Sequence, residues 1–487
     1  MKNDEAKWYE KASWKKLHKT ENVAKMAAKS AKAAEKDELK RQQEEKKLRT
    51  EPKTTKPIKS AKPENKVKKT KTPQKTTRRT AKTPFSETLP MFDTQKISED
   101  SAKILENFGK IVMETRNLSS KQQVLLPKQI KNLSHQLTDD RNSRRLGYMN
   151  DAGQLSAYIS YFMWWNLVRL TRLFASLPKE CFKLKDGDFC LDIGSGPLTV
   201  PCALWLARPE LRSKKLNFYA LDLSQGALAA GEEIFLSIAA KTLKENQLPW
   251  KILRVKGALG TPVKQKPALI TCANVFNEVT QSSEMPPDFL AKNCTADILK
   301  YFEKDSPSAQ TVLLVEPGDP RSARLVSLMR DSFMRKGFAP LSPCPHLHAC
   351  PMAGRTAANP NGKWCNFAFD TKDAPEELLK LSKNANLQKD RASLSYVLLC
   401  RQEEKTEGKN SSETEKRELK LRVASDFIRL PEIHKSAWYC CSELGLVLAI
   451  DKTNRQPKNG DLLTVKHPGS AENCPSDKKT GAVILDI

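Results

Sequence analysis

The stretch Phe189-Cys-Leu-Asp-Ile-Gly-Ser-Gly-Pro-Leu198 joins a short apolar run to a turn that contains two glycines. The run is typical of a buried strand, and glycines directly after a strand permit a tight turn in which the backbone approaches a ligand closely. A helical pattern follows the turn. The stretch therefore predicts the strand, loop and helix of a nucleotide-type cofactor site.

Further apolar runs follow this strand, with helical patterns between them. The predicted strands are Leu216–Leu221, Ala268–Ala273, Thr311–Val315 and Leu394–Cys400, and the clearest helical patterns are Gln225–Thr242 and Arg321–Lys336. Such alternation predicts an α/β fold built from parallel βαβ units in a doubly wound, Rossmann-like sheet.

An acidic residue, Asp222, ends the second predicted strand. A carboxylate at that position can accept hydrogen bonds from ribose hydroxyls. NAD and S-adenosylmethionine both suit this geometry, and the third interpretation is a Rossmann-like scaffold whose pocket is only structural.

The spacing Asp-x-Gly-x-Gly, with the acid inside the motif, resembles class I S-adenosylmethionine-dependent methyltransferases. The resemblance implies that fold and a cofactor pocket near the ends of the first three strands. The residues that it implies as cofactor-binding are Asp192, Gly194, Ser195, Gly196, Asp222 and Asn274. Leu198 stands where the common pattern has a third glycine, and we expect its side chain to crowd the cofactor.

Catalytic residues are harder to predict. Asn277 and Glu278 follow the third strand and are the best candidates, with pocket structure as the alternative role for each. The Pro-Pro step in Met285–Asp288 lacks the polar and aromatic neighbours of base N-methyltransferases. Cys272 lies within a predicted strand, so we interpret it as a core residue rather than a nucleophile.

Three cysteines lie in a segment rich in Pro and Gly, in Cys344-Pro-His-Leu-His-Ala-Cys350 and in Trp364-Cys365. Thiolates in such a loop suit a soft metal. The candidates for a fourth ligand are Cys440 and Cys441, with His346 and His348 as rivals. Four thiolates fit tetrahedral zinc or a [4Fe-4S] cluster, and their spacing alone does not choose between these or unligated thiols.

Charge and composition limit the classes of function. The 487 residues include 83 Lys and Arg against 57 Asp and Glu, a net charge of +26, which suggests a polyanionic partner such as nucleic acid. The chain has no apolar run long enough for a membrane span and begins without the apolar core of a signal peptide. Its 12 cysteines are therefore expected to be reduced, which argues against a secreted disulfide scaffold or a membrane channel.

Composition also predicts the domain organisation. We expect a disordered basic tail over 1–85 and a helical N-terminal region over 86–185. A methyltransferase-like domain is expected over 186–402, with a Cys-rich metal-binding insert at 341–370. A linker over 403–418 then leads to a small β-rich C-terminal unit over 419–487, which supplies the fourth cysteine. A basic cluster, Arg141–Arg145, precedes the strongly aromatic stretch Tyr158–Phe174, which we interpret as a core helix rather than a base-stacking surface.

Over about residues 135–450 the chain resembles the methyltransferase-like family of small-ribosomal-subunit proteins found in bacteria and mitochondrial ribosomes. The motifs that carry the resemblance are Arg141–Tyr148, Leu191–Pro197, Asn277-Glu278, Glu316-Pro-Gly318, Cys344-Pro-His346, Cys350-Pro351, Trp364–Phe367 and the late cysteine before Gly445.

This resemblance implies a protein that associates with small-subunit rRNA during assembly or translation. It also implies a [4Fe-4S] cluster held by Cys344, Cys350, Cys365 and one late cysteine, which matches Cys441 better than Cys440. We expect a monomer on the ribosomal particle, with no membrane partner. Acidic residues near the N-terminus favour the cytoplasm of a bacterium, with the mitochondrial matrix as the alternative.

Three functions follow from these features. The first is an S-adenosylmethionine-dependent rRNA methyltransferase, and the second is a non-catalytic rRNA-binding assembly factor with the same fold and a metal site that holds either the cluster or zinc. The third is a NAD-type oxidoreductase that uses the cluster as an electron relay.

Overall fold

Two β-sheets organise the part of the chain that the structure describes. This computed structural model describes residues 87–138, 147–303, 310–356, 359–402, 418–431 and 434–487. The predicted basic tail, the cluster Arg141–Arg145 and residues 403–417 of the predicted linker lie outside these ranges.

The larger sheet has the strand order β4-β3-β2-β5-β6-β9-β7, with β8 paired to β9. Its strands are β2 Phe189–Ile193, β3 Asn217–Asp222, β4 Lys251–Lys256, β5 Leu269–Ala273, β6 Thr311–Pro317, β7 Phe338–Ser342, β8 Phe367–Asp370 and β9 Arg391–Arg401. Strands β2 to β6 are mutually parallel, whereas β9 runs antiparallel to both β6 and β7. This arrangement is the doubly wound, largely parallel α/β sheet that the sequence predicts.

Strand direction at one side of this sheet differs from the prediction of parallel units. The run predicted as the closing strand is β9, which lies between β6 and β7 and is reversed. The reversal of β9 follows from the connection between β6 and β7. These two strands are not neighbours in the sheet, and one strand position lies open between them. After β7 the chain continues through β8 and helix Glu376–Asn384. It then enters the position between β6 and β7 as β9, which runs antiparallel to both.

Helices cover the larger sheet and precede it. They are α1 Glu99–Glu106, α2 Phe108–Arg116, α3 Ser120–Thr138, α4 Ala152–Ala157, α5 Trp164–Ser176, α6 Thr199–Ala207, α7 Gln225–Ala240, α8 Phe276–Ser282, α9 Pro287–Leu299, α10 Pro320–Met334 and α11 Glu376–Asn384. A π-helical turn, Tyr158–Met163, links α4 to α5. The aromatic stretch is core, as predicted, since Tyr161, Trp164 and Phe174 are almost completely buried.

The smaller sheet has the order β1-β14-β10-β12-β13-β15, with β11 paired to β12. Its strands are β1 Thr88–Leu89, β10 Glu418–Val423, β11 Ile428–Leu430, β12 Lys435–Ser442, β13 Gly445–Asp451, β14 Leu462–Lys466 and β15 Val483–Asp486. All of its pairings are antiparallel except that of β13 with β15. Because β1 belongs to this sheet, a segment near residue 88 packs with the C-terminal strands.

Candidate cofactor pocket and cysteine group

The glycine turn after β2 has the backbone that the sequence predicts. Gly194 and Gly196 have φ angles of +67° and +52°, in the left-handed region that favours glycine. A Cβ at Gly194 would collide with the Val275 side chain, which lies just after β5. The turn is held to the neighbouring strand because the N–H of Gly194 donates to the Leu221 carbonyl at 2.8 Å.

Asp222 connects this turn to the end of β3. Its Oδ2 accepts a hydrogen bond from the N–H of Gly196 at 2.9 Å, and its Oδ1 accepts one from the N–H of Ser224 at 2.8 Å. Burial raises the pKa of Asp222, while these backbone donors act in the opposite direction. Each carboxylate oxygen has a second lone pair, so Asp222 retains acceptor capacity for a hydroxyl group.

Asp192, inside β2, is more deeply buried than Asp222. Its side chain is 1% exposed, and Oδ1 accepts a hydrogen bond from the hydroxyl of Thr271 at 2.6 Å. Burial raises the pKa of Asp192 to about 7. Ser195, the neighbouring residue of the turn, is also buried. Both side chains of this part of the glycine turn are therefore shielded from solvent.

Leu198 does not have the orientation that the sequence predicts. The residue has a φ of +57° and is fully buried in the apolar core, where it faces helix α7. A Cβ added at Gly231 would lie 2.7 Å from Leu198 Cδ1, so a glycine in α7 makes room for the leucine. The expectation that Leu198 crowds a cofactor is therefore wrong, because this side chain packs into the core.

Asn274 follows β5 directly and has a φ of +59°. Its Oδ1 accepts a hydrogen bond from Arg169 Nη2 at 3.4 Å, while Arg169 Nη1 donates to the Ser393 carbonyl at 2.6 Å. Burial lowers the pKa of Arg169 to about 10. Sequence reasoning missed Arg169, although a cation inside the apolar helix α5 was the available signal.

The candidate catalytic residues Asn277 and Glu278 lie in the first turn of α8. The turn is anchored by Glu316, which is completely buried at the end of β6. Glu316 Oε1 accepts hydrogen bonds from the N–H groups of Val275 and Phe276 at 2.9 and 2.8 Å, and Oε2 accepts one from Asn277 at 3.0 Å. Burial raises the pKa of Glu316 to about 8.

The aromatic residue of this turn is part of the apolar core. Phe276 is 1% exposed and belongs to the apolar core on one face of the larger sheet. A buried ring has no free face on which a flipped base can stack. The turn after β5 therefore lacks the base-stacking aromatic of base N-methyltransferases.

Another contact that the sequence did not reveal lies over the glycine turn. The Met149 carbonyl accepts a hydrogen bond from the Ser224 hydroxyl at 3.3 Å, and Met149 Cε lies 3.8 Å from the position of a Cβ on Gly196. A segment N-terminal to the first large-sheet strand thus packs against the glycine turn.

The four predicted ligand cysteines come from different elements. Cys344 and Cys350 follow β7, Cys365 precedes β8, and Cys441 lies in β12 of the smaller sheet. Burial raises the pKa of Cys365 well above its usual value, and the thiols of Cys350, Cys344 and Cys441 raise it further. Cys441 belongs to the buried core cluster against which Cys350 and Cys365 pack. These three residues together with Cys344 are here called the cysteine group.

Cys440 is not part of the cysteine group. Successive side chains of a strand point to opposite faces, so Cys440 and Cys441 are separated by the sheet. Cys440 belongs to the core of the smaller sheet, whereas Cys441 belongs to the core against which Cys350 and Cys365 pack.

Two polar side chains contact the sulfurs of the cysteine group. His346 Nε2 lies 3.0 Å from Cys441 Sγ, and Arg330 Nε lies 3.2 Å from Cys344 Sγ. His346 is buried, whereas His348 is exposed. Burial, followed by the charges of Arg330 and His348, lowers the pKa of His346 to about 4, so its imidazole is neutral.

Two features are absent from the residues that the structure describes. Within those residues, no group of three or more His, Cys, Asp or Glu side chains is placed to hold a metal ion. None of the described helices is both long and apolar enough to cross a membrane.

Comparison with known families identifies one match. Residues 157–437 match the model of a family described as mitochondrial small ribosomal subunit Rsm22. A comparison with curated proteins finds no match.

Solved methyltransferase structures also show similarity to the chain. A precorrin-6y C5,15-methyltransferase from Geobacter metallireducens is 10% identical, over 48% of this chain and 87% of that one, with a TM-score of 0.27. A methyltransferase from Thiobacillus denitrificans in complex with S-adenosyl-L-homocysteine is 12% identical, over 49% and 91% of the two chains, with a TM-score of 0.26. TrmN from Thermus thermophilus is 17% identical, over 35% and 42%, with a TM-score of 0.24.

Proposed function

The chain belongs to the mitochondrial small ribosomal subunit Rsm22 family, and from this premise we propose that it binds small-subunit rRNA in ribosome assembly or translation. In this proposal it carries S-adenosylmethionine in the pocket at the glycine turn and a [4Fe-4S] cluster on the cysteine group. The family description favours the mitochondrial matrix over the bacterial cytoplasm. The protein acts as a monomer on the ribosomal particle.

The observation that carries the cofactor proposal is the connection between Asp222 and the glycine turn. Asp222 accepts the Gly196 N–H at 2.9 Å and is 8% exposed, so its carboxylate is held in one place. A fixed acceptor beside a close-approach glycine suits a nucleoside with two adjacent hydroxyl groups. Asp192, Ser195 and Asn274 complete the proposed pocket.

Calorimetric titration with S-adenosylmethionine tests this pocket. Asp222→Ala is expected to weaken binding by about 10- to 100-fold, because a hydrogen bond to a charged group contributes about 1.5–3 kcal/mol. Asp297→Ala, at a half-buried helix position whose carboxylate pairs with Lys300, is the control and should bind like the wild-type protein. Equal affinity in the two variants, both folded by circular dichroism, would exclude the pocket.

The proposed ligands of the cysteine group are thiols, the ligand type that soft metals prefer. Arg330 places a positive charge beside Cys344, since its Nε lies 3.2 Å from Cys344 Sγ. Cysteine thiolates are the usual ligands of iron-sulfur clusters, and a cluster there would supply a one-electron redox centre or a structural link. Zinc is the alternative occupant, and metal analysis of the purified protein distinguishes them.

A non-catalytic role is the second candidate function, and one observation favours it. Phe276 is buried, and the Asn274 amide oxygen already accepts a hydrogen bond from Arg169. The turn after β5 therefore offers no exposed aromatic ring on which a target base could stack. Comparison of rRNA methylation between cells with and without the protein decides the question, since methylation that is unchanged in the depleted cells supports the non-catalytic role.

A further inference from the structure

We propose that Arg330 and His346 donate hydrogen bonds to the sulfurs of Cys344 and Cys441 and thereby raise the reduction potential of the cluster. This inference rests on the cluster of the proposed function. It assigns two positioning residues that are not themselves metal ligands.

Arg330 is held rigidly against the cysteine group. The side chain is 2% exposed on α10, and its Nε lies 3.2 Å from Cys344 Sγ. Nη2 donates to the His346 carbonyl at 3.0 Å, and Nη1 pairs with Asp331. With all three nitrogens engaged, the guanidinium has one orientation, and that orientation directs an N–H at the sulfur.

His346 makes the equivalent contact on the other side of the cysteine group. It is 6% exposed, and its Nε2 lies 3.0 Å from Cys441 Sγ. A thiolate bound to iron can only accept, so the imidazole proton must be on Nε2 for the contact to form. The hydrogen bond from Arg330 to the His346 carbonyl fixes the same loop, which couples the two donors.

Both contacts favour the reduced cluster. Reduction adds negative charge to the cluster and its thiolates, and N–H donors to sulfur together with a nearby cation stabilise that charge. The effect is strengthened by burial, because a low local dielectric weakens screening. Removal of either donor should therefore lower the reduction potential.

A purely structural role for these residues predicts a different result. If Arg330 and His346 only hold the loop in place, variants that keep a full cluster should keep its potential. The reduction potential thus separates the two roles, whereas protein stability does not.

The experiment uses the full chain, purified without oxygen, and a potentiometric titration monitored by electron paramagnetic resonance. The variants are Arg330→Gln, Arg330→Lys and His346→Leu. The controls are Arg335→Gln, an exposed arginine at the end of the same helix, and His348→Leu, an exposed histidine of the same loop. Iron and sulfide are counted in every sample.

We expect the midpoint potential to shift downward in Arg330→Gln and His346→Leu, and by less in Arg330→Lys, which keeps the charge. The two controls should match the wild-type protein. Unchanged potentials in the variants that retain iron would overturn the inference. Wild-type protein without iron would instead contradict the proposed function. If Arg330→Gln loses its iron, the midpoint potentials of Arg330→Lys and His346→Leu test the inference.

Discussion

Gly194 shows how a single residue position determines the shape of the proposed pocket. Its φ of +67° favours glycine, and the Val275 side chain occupies the space where a Cβ would lie. Gly187 provides a comparison, because its φ is +87° but no atom lies within 4 Å of its Cβ position. The two positions share the backbone requirement and differ in packing.

We predict that Gly194→Ala lowers the free energy of unfolding more than Gly187→Ala does. A strained left-handed residue costs about 1–3 kcal/mol, and forced overpacking at Gly194 adds about 1–3 kcal/mol. Urea unfolding of both variants measures the difference. Equal losses would mean that Val275 moves aside freely and that the turn does not need glycine for space.

Cys440 and Cys441 show what the sequence left open at the level of single residues. The sequence places two thiols side by side and offers no signal to choose between them. The choice depends on which face of β12 is directed toward the loops after β7, and that is a property of the sheet as a whole. The structure directs Cys441 toward those loops and Cys440 into the core of the smaller sheet.

At the scale of elements, the start of α8 depends on a carboxylate from another strand. Glu316, at the end of β6, accepts three backbone N–H groups from the turn before and within α8. The first N–H groups of a helix have no partner within the helix itself. Glu316 therefore fixes the turn that presents Asn274 and Asn277.

The buried Glu316 predicts a pH dependence of stability. The pKa of Glu316 rises from an ordinary 4.5 to about 8 in the folded protein. Between pH 4.5 and pH 8, the folded state therefore keeps a proton that the unfolded state has lost. The contribution is therefore present below the unfolded pKa and is lost as the pH rises through the folded pKa, with a slope of up to about 1.4 kcal/mol per pH unit.

Chemical denaturation between pH 5 and pH 9 measures this slope. Glu316→Gln should show a smaller decline of unfolding free energy with pH than the wild-type protein, and the remaining decline is expected from Asp192. The exposed Glu284→Gln is the control and should retain the wild-type slope. A slope in Glu316→Gln equal to that of the wild-type protein would assign the pH dependence to other groups.

The strands of the larger sheet were predictable where apolar runs are long. The five predicted strands correspond to β2, β3, β5, β6 and β9, with ends displaced by up to three residues. The sequence missed β4, because the edge strand Lys251–Lys256 alternates with charged residues. It also missed β7 and the reversal of β9, since strand direction depends on the crossover rather than on local composition.

The site was predictable to a different extent. The glycine turn and Asp222 have a local signal, and the structure places them together. Leu198 was misjudged because its orientation depends on Gly231 of α7, far along the chain. Arg169 was missed for the same reason, since its partners lie at the ends of strands that only the folded sheet brings near α5.

At the scale of the whole molecule, the cysteine group contains residues that belong to both sheets. Cys441 comes from the smaller sheet and the other three cysteines from loops of the larger one. Arg422 of β10 strengthens this junction, because its Nε donates to the Pro343 carbonyl at 2.9 Å. A cluster at this position would cross-link the two sheets.

The charge of the whole chain predicts how RNA binding responds to salt. Residues 1–85 contain 27 Lys and Arg against 11 Asp and Glu, so they contribute 27 − 11 = +16 of the total +26. Phosphate contacts release counterions, so the logarithm of the binding constant falls linearly with the logarithm of the salt concentration, and the slope is proportional to the number of contacts. We expect the full chain to show a steeper dependence than a chain that begins at residue 86.

Fluorescence anisotropy with a small-subunit rRNA fragment at several salt concentrations tests this expectation. Identical slopes for the two chains would show that the tail makes no phosphate contacts. At high salt, where the phosphate contacts of the tail are weakened, binding depends on the folded unit. We therefore expect both chains to bind the RNA with equal affinity under that condition.

The most direct test of the account is a count of iron and acid-labile sulfide per chain after purification without oxygen. We predict about four of each in the wild-type protein and in Cys440→Ser, with loss of both in Cys441→Ser and Cys344→Ser. One zinc and no iron in the wild-type protein would contradict the cluster. Iron retained in Cys441→Ser and lost in Cys440→Ser would contradict the cysteine group that the structure defines.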